Sequence, residues 1–323
     1  MSANEQRTVI QTLSYLDFTS SDPVRRSGFI ESLDRAFREI GFVVIRDHVV
    51  SHDLQKLAYE KVAAFFNLPL ETKSTFRVPG IGGARGYTPF GTEHAKNSQV
   101  GDLKEFFHVG MQLPPGHPLE THYPPNVTVN SVPGFDVTLR ALYDGLLGLG
   151  RDLLKSLAVS LRLRDDYFEE KVRYGNSILR PIHYPALKGG EEPKAIRSAA
   201  HEDINLITLL IGASSPGLEV HSRLGEWIPI QTQPDEIVVN VGDMLQRLTN
   251  RYYISTTHRV VNPPANPGKP TTTRYSIPFF LHPISEMSLE ALPSCVRDGE
   301  SPAEPGITAG AYLQERLREI GLL

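Results

Sequence analysis

The chain has 323 residues, 40% of them hydrophobic and 22% charged, a globular balance with length enough for a large core and a water-poor pocket. Its 33 Lys and Arg against 37 Asp and Glu leave a net charge of −4 with no basic run, which argues against a nucleic-acid surface. The single cysteine, Cys295, excludes an intramolecular disulfide and any Cys-based zinc site.

The opening "MSANEQRTVIQ" is polar and reads as no signal peptide. Apolar stretches such as Leu206 to Gly212 are too short to span a bilayer. The expectation is a cytoplasmic protein with Cys295 as a free structural thiol, acting on a small molecule rather than on nucleic acid or membrane.

"SSDPVRRSGFIESLDRAFREIG" predicts the first helix, with Ser21 or Asp22 as cap and Pro23 in the first turn. Phe29, Leu33, Phe37 and Ile40 follow at helical spacing, and Gly41 ends it. "FVVIRDH" predicts a short strand. A second amphipathic helix carries Leu54, Leu57, Ala58, Val62 and Phe65. A third, the longest, sets Leu139, Leu142, Leu146, Leu149, Leu153, Leu157 and Leu161 on one stripe, which reads as core.

From about Ser177 the period turns strand-like. "SILRPIHY", "INLITLLIG", "LEVH", "EWIPI", "EIVVNV", "THRVV" and "TTRYSIPFFLH" alternate with connectors rich in Gly and Pro. Such runs predict a sandwich or barrel, a jelly roll among them. A helix in "AGAYLQERLREIG" closes the chain. The expected fold is mainly β with helical additions, in one unit. A mainly helical part (1–176) packs on a β core (177–285), followed by a tail and helix (286–323).

Chemistry enters with "SAAHEDINLITLL". With 11 His in the chain and each charged residue type near 6%, about 0.7 His-x-Asp pairs arise by chance, so the pair alone says little. On a strand, however, His201 and Asp203 project from one face while Glu202 points away. The apolar run after them belongs in a core, where an unpaired charge is costly and a metal ion satisfies both groups. "STTHRVV" offers His258 as a third ligand, and two His with one carboxylate form the facial triad of non-heme Fe(II) oxygenases. His48, His52, His94, His117, His122 and His221 sit in polar or turn-like surroundings and are expected to be solvated.

Further on, "TRYSIPFF" puts Arg274 and Ser276 on one strand face, a pair shaped to clamp a carboxylate. Pairing of Arg274 with a structural acid is the alternative. Together, "HEDINLITLL", "NVGDMLQRLTNRYYISTTHRVVNP" and "RYSIPFF" resemble the isopenicillin N synthase-like branch of the Fe(II)/2-oxoglutarate dioxygenases. The likeness is dense from about Ser177 to His282 and looser over "AFREIGFVVIRDH" and "ARGYTPFG…DLKEFFHVG". It implies a double-stranded β-helix (jelly-roll, cupin-like) core flanked by N-terminal helices and a C-terminal helix. It also implies Fe(II) on His201, Asp203 and His258, with 2-oxoglutarate and O2 as cosubstrates. Arg274 and Ser276 would hold the far carboxylate of 2-oxoglutarate, joined by Tyr184 of "IHYP".

The chain departs from many plant members in carrying Ile182 where they have an Asn that contacts the cosubstrate. Isopenicillin N synthase also has Ile there and turns the Arg-x-Ser pair to its peptide substrate, but this chain ends "REIGLL", without that enzyme's penultimate Gln. The reading is an oxygenase that oxidises, chiefly by hydroxylation, a C–H bond of a small metabolite and releases succinate and CO2. A synthase-like oxidase or cyclase without 2-oxoglutarate stays open, as does a jelly-roll protein that binds metal or a small acid without turnover.

On the substrate side, the Gly-rich "GGARGYTPFG" is either a mobile lid presenting Arg85 and Tyr87 or a loop anchored by its Arg. In "KEFFHVG" alternation sets Phe106 and His108 on one face, expected to line the pocket, and Glu105 and Phe107 on the other. Phe280 shares the face of Arg274 and Ser276 if the strand stays regular through Pro278. Trp227 is expected to anchor core, and His183, opposite Tyr184, to be structural.

Overall fold

A computed structural model describes residues 9–92, 102–187, 196–263 and 271–319. Strand β1 (Thr12–Ser14) and the short helix α1 (Tyr15–Phe18) lead into α2 (Pro23–Glu39). Asp22 is the cap, accepting from the Val24 amide at 2.9 Å, and Gly41 turns the chain at φ 71°. Strand β2 (Phe42–Arg46) follows, then α3 (His52–Phe66), whose cap Ser51 accepts from Leu54 N at 3.2 Å, and the short α4 (Leu70–Ser74). Within α3, Ala58, Val62 and Phe65 are buried as expected, whereas Leu57 faces outward.

Strands β3 (Gly86–Thr88) and β4 (Glu105–Gly110) precede the long α5 (Phe135–Ser160) and the one-turn α6 (Glu169–Val172). All seven leucines of the predicted stripe are buried, Leu161 just past the end of α5. Pro181 splits "SILRPIHY" into β5 (Ile178–Leu179) and β6 (Ile182–Tyr184). Then come β7 (Ser198–His201), β8 (Ile207–Ile211), β9 (Leu218–His221), β10 (Trp227–Pro229) and β11 (Ile237–Val241). Helix α7 (Asp243–Leu248), β12 (His258–Val260), β13 (Arg274–Leu281) and α8 (Ala309–Glu319) complete the order.

The strands form two sheets. Nine run in the path β1-β2-β11-β8-β13-β5-β4-β3, with β6 beside β13 and β4; four run β10-β9-β12-β7. Every pairing is antiparallel except β1 with β2. Strands from the N-terminal part therefore extend the larger sheet, well before the Ser177 at which the sequence period changes.

Alternation gives the larger sheet two faces. Val43, Ile45, Ile207, Leu209, Ile211, Ile237, Val239, Val241, Ile277, Phe279 and Leu281 join the α2, α3 and α5 residues in the main core. The opposite face meets the small sheet, where Phe42, Leu210 and Val238 pack with Leu218, Val220 and Ile230. This is the jelly-roll arrangement, and the site lies on its inner face. Among the described residues no helix is long and apolar enough to cross a membrane.

Candidate active site

The small sheet brings the two histidines together. In the antiparallel pairing of β12 with β7, His258 stands directly opposite His201. The chain then leaves β7, and Asp203 sits just past the strand end. Ligand-capable atoms of His201, Asp203 and His258 all lie within 4.8 Å of one another. The imidazole Nε2 atoms are 4.0 Å (His201) and 3.8 Å (His258) from the Asp203 carboxylate oxygens. This trio could hold a metal ion. One expectation changes: the apolar run after Asp203 does not continue the same strand. It crosses to β8 in the other sheet, so Asp203 sits at the seam between sheets. Glu202, expected to point away, is exposed and accepts from the Thr257 hydroxyl, and it also borders the cavity that His201 and Asp203 line.

Each group is held by a neighbour. His201 Nδ1–H donates to Ala199 O (2.7 Å) and His258 Nδ1–H to Thr256 O (3.2 Å), which leaves both Nε2 lone pairs for a metal. Asp203 Oδ2 accepts from Thr208 Oγ1 at 2.6 Å and Asn240 Nδ2 at 2.8 Å. Those donors form a cross-strand pair, because Asn240 of β11 faces Thr208 of β8; Phe42 and Phe280 extend the row. Burial alone would raise the Asp203 carboxyl, but the two histidines and two donors outweigh it and hold it below the usual carboxylate range. Burial and the facing His258 push His201 down, as suits a neutral ligand.

Arg274 opens β13, buried, with Nε donating to Ser215 O at 3.0 Å and Nη1 left without a partner. Its guanidinium lies 5.0 Å from the Tyr184 ring, and Ser276 is buried beside Ile182 in the same register. Tyr184, Ile182 and Phe106 cluster with Val260, two residues beyond His258, which ties the guanidinium to the metal trio. A second buried guanidinium, Arg197, donates Nη2 to Thr272 O at 2.6 Å, while its Nε has no partner. Burial and the charge of Arg274 hold Arg197 below the ordinary arginine value. Among the described residues no carboxylate pairs with either arginine. The structural-acid alternative for Arg274 therefore finds no acid there, and two buried cations with orphaned donors suit an anionic ligand.

A cavity of about 310 Å³ contains His201 and Asp203 in its lining, with His108, Arg180, Phe280 and His282 on the sheet side. Leu313 and Arg316 of α8 also line it, a position nothing in the helix sequence announced. Arg274 borders a second cavity of about 430 Å³ between the sheets. Of the five residues expected at substrate, His108 and Phe280 line the first cavity. Pro278 stays in register against Leu210, so β13 is regular and Phe280 keeps the face of Arg274. Phe106 does not reach the cavity; it is sealed behind, 4.8 Å from the His108 ring, with the Arg180 guanidinium 4.5 Å over its face.

Arg85 takes the second of its two readings, the loop anchor, and Tyr87 is corrected as a residue facing substrate. Arg85 is fully buried against Gly110, where any Cβ would collide with the guanidinium; burial lowers its pKa to about 10. It anchors the Gly-rich loop from inside. Tyr87 points into the core and donates to Glu105. Glu105 also accepts from Lys73 (2.8 Å) and from His183 Nδ1–H (2.7 Å), so His183 is structural, as expected. Two lesser expectations change as well. Both His48 ring nitrogens are buried rather than solvated, and Trp227 is half-buried between His221 and Arg259 instead of anchoring core. His94 lies outside the described residues.

Sequence reasoning missed Arg197, Thr208, Asn240, Asn176 and His282. A lone Asn in the apolar run "EIVVNV" and an Arg of the same strand parity as His201 were available cues. Asn176 and His282 carried none.

Comparison with known proteins agrees with this geometry. The family model for the 2OG-Fe(II) oxygenase superfamily matches residues 173–283, and that for the non-haem dioxygenase in morphine synthesis N-terminal matches residues 13–131. A proline hydroxylase of Petromyces alliaceus is 33% identical, over 95% of this chain and 98% of its own. A 2OG-Fe(II) oxygenase family protein from Caulobacter crescentus is 43% identical with a TM-score of 0.84, covering 96% of this chain and 99% of that one. A full-length Neurospora crassa protein, solved in complex with alpha-KG, is 30% identical with a TM-score of 0.86 and 98% coverage of both chains. The chain belongs to the 2OG-Fe(II) oxygenase superfamily and is an Fe(II)/2-oxoglutarate-dependent dioxygenase.

Proposed function

We propose that the protein hydroxylates a C–H bond of a small, soluble metabolite, with His201, Asp203 and His258 as iron ligands and Arg274, Ser276 and Tyr184 as the seat of the distal carboxylate of 2-oxoglutarate. Arg197 adds a second positive charge to that seat. The observation that carries this reading is the pair of buried guanidinium groups, each with an orphaned donor and no acid partner among the described residues, tied through Tyr184 and Val260 to a two-His, one-carboxylate trio.

The donor set fits ferrous iron: two neutral imidazoles and one carboxylate, with orientation set by Ala199 O, Thr256 O, Thr208 and Asn240. Iron, when bound, supplies the activation of O2. The overall conversion takes R–H, O2 and 2-oxoglutarate to R–OH, succinate and CO2, one oxygen atom entering each organic product. The chain's own part is to position. Arg274 offers a fork of donors to a planar carboxylate, and Ser276 a hydroxyl, in surroundings that exclude water. His108 and Phe280 face the substrate. His108 Nδ1–H donates to Gly83 O at 2.6 Å, so its Nε2 accepts from Arg180 Nε at 2.5 Å and the ring is fixed.

A cavity of about 310 Å³ suits a small ligand. The proline hydroxylase relative and the Neurospora crassa protein, also solved with thymine, support a small-molecule substrate over a macromolecule. Names specifying 2-oxoglutarate among the relatives favour it over the synthase-like alternative. A reducing cytoplasm suits the free Cys295 thiol. Succinate release screened over candidate metabolites tests the reading: release requires Fe(II), 2-oxoglutarate and O2 together and is stimulated by substrate. Substrate-stimulated O2 uptake without succinate would overturn it.

A further inference from the structure

Most charges lining the cavity beside the metal trio are already engaged. Lys104 donates to Asp102 at 2.8 Å, Arg180 to His108, and Arg316 to Glu315 and Glu319. Two neutral polar side chains in the same lining are not. Asn176 and His282 both face the cavity, and neither side chain has a hydrogen-bond partner among the described residues. A buried polar atom without a partner, as His282 Nδ1 is, is costly unless a ligand completes it, and the half-buried Asn176 amide stands in the same lining.

The pair is rigidly built. Asn176 N donates to Pro283 O at 3.3 Å. Ser177 Oγ accepts from His282 N at 3.1 Å and donates to His282 O at 3.3 Å. Tyr143 of α5 donates to Ser177 O at 3.1 Å. Gly175 lets the two segments touch, since a Cβ there would collide with His282 O. The link before β5 and the end of β13 are thus stitched together, and each contributes one side chain to the cavity. Burial pushes the His282 imidazole down to about 4, so at neutral pH one ring nitrogen donates and the other accepts. The Asn176 amide likewise offers both.

We propose that Asn176 and His282 form the recognition pair of this cavity and that they take an uncharged group presenting adjacent hydrogen-bond donor and acceptor, as a cyclic amide or imide does. A carboxylate brings acceptors alone and an ammonium donors alone, so either leaves part of the pair unmatched. Ile178 and Phe280 in the same lining supply apolar walls for a ring. The inference rests on the oxygenase reading above.

The test uses the full chain with Fe(II) and 2-oxoglutarate under anaerobic conditions. A charge-transfer band formed before any probe is added reports the parent reading by itself. Thymine, hydantoin and 2-pyrrolidone are then titrated, with pyrrolidine (present as its ammonium ion) and benzoate as charged comparators. At least one cyclic amide or imide perturbs the band and stimulates succinate release once O2 is admitted, and the comparators do not. Asn176→Leu and His282→Phe raise the half-saturating concentration about tenfold or more, whereas His282→Gln, which keeps a donor and an acceptor, retains tighter binding than His282→Phe. Thermal melting verifies that each variant is folded. A band that forms normally but responds to none of the three neutral rings, responds only to the charged comparators, or shows unchanged half-saturation in folded variants overturns the proposal.

Discussion

The two faces of the nine-stranded sheet are made by the same strands and do opposite work. On the helix side, β8, β11 and β13 present Ile, Leu, Val and Phe in unbroken alternation, buried against α2, α3 and α5. On the side facing the small sheet, the alternate positions read Thr208 and Leu210, Val238 and Asn240, Arg274, Ser276, Pro278 and Phe280. The polar members sit where Asp203 and the expected carboxylate need donors. Burial on the helix side holds the sheet rigid, and that rigidity sets the polar row on the other side to within hydrogen-bond distance. Stability and chemistry are separable by residue parity.

On the inner face the largest effect comes from Asp203→Ala. It abolishes Fe(II) retention and substrate-stimulated succinate release, read as iron content after desalting and as product, while the melting temperature shows the fold intact. On the outer face the largest loss comes at the buried charge network around Glu105. Glu105→Gln leaves Lys73 without its carboxylate and costs about 3–5 kcal/mol in denaturant unfolding.

The same network sets an acid limit. Burial alone would raise the Glu105 carboxyl, but bonds from His183, Lys73 and Tyr87 bring it below its ordinary value. A carboxyl depressed in the folded state adds stability that is present above the unfolded value, about 4.3, and is lost as pH falls through the folded value. Unfolding curves from pH 6 downward therefore decline more steeply below about 4.3 in the parent protein than in Glu105→Gln.

Leu149→Ala, also on the helix side, lowers stability by about 2–5 kcal/mol and leaves half-saturation by 2-oxoglutarate unchanged. A shift in that half-saturation would show the faces to be coupled. The smallest effect is at Thr208→Val, which removes one of the two donors on Asp203 and weakens Fe(II) binding about tenfold, measured by metal titration with no loss of melting temperature.

Much of the inner face was legible because strand parity is local. His201, Arg274 and Ser276 declare themselves by spacing, and Phe280 by counting through Pro278. What joins them is not local. Asn240 reaches Asp203 because β11 and β8 pair in one register, and His282 meets Asn176 because Ser177 bridges segments far apart in sequence. The lid reading of Arg85 and Tyr87 failed for the converse reason, and the anchoring alternative for Arg85 held. Gly-rich surroundings suggest a loop at the surface, but the absent side chain of Gly110 lets the Arg85 guanidinium fold inward. The outer face was read more completely, since leucines at helical spacing have few other uses; Leu57 alone of those named in α3 turned outward without warning.

In the proposed reading, the orphaned guanidinium of Arg274 binds the carboxylate of a cosubstrate whose other end meets iron on the trio. Anaerobic titration of 2-oxoglutarate into the Fe(II)-loaded protein tests it most directly, with parent and Arg274→Gln compared at equal iron occupancy. A charge-transfer band is expected in both, at the same position, with half-saturation raised roughly 10- to 100-fold in the variant, the worth of a charged hydrogen bond. No band in the parent, or equal half-saturation in the two, would contradict it.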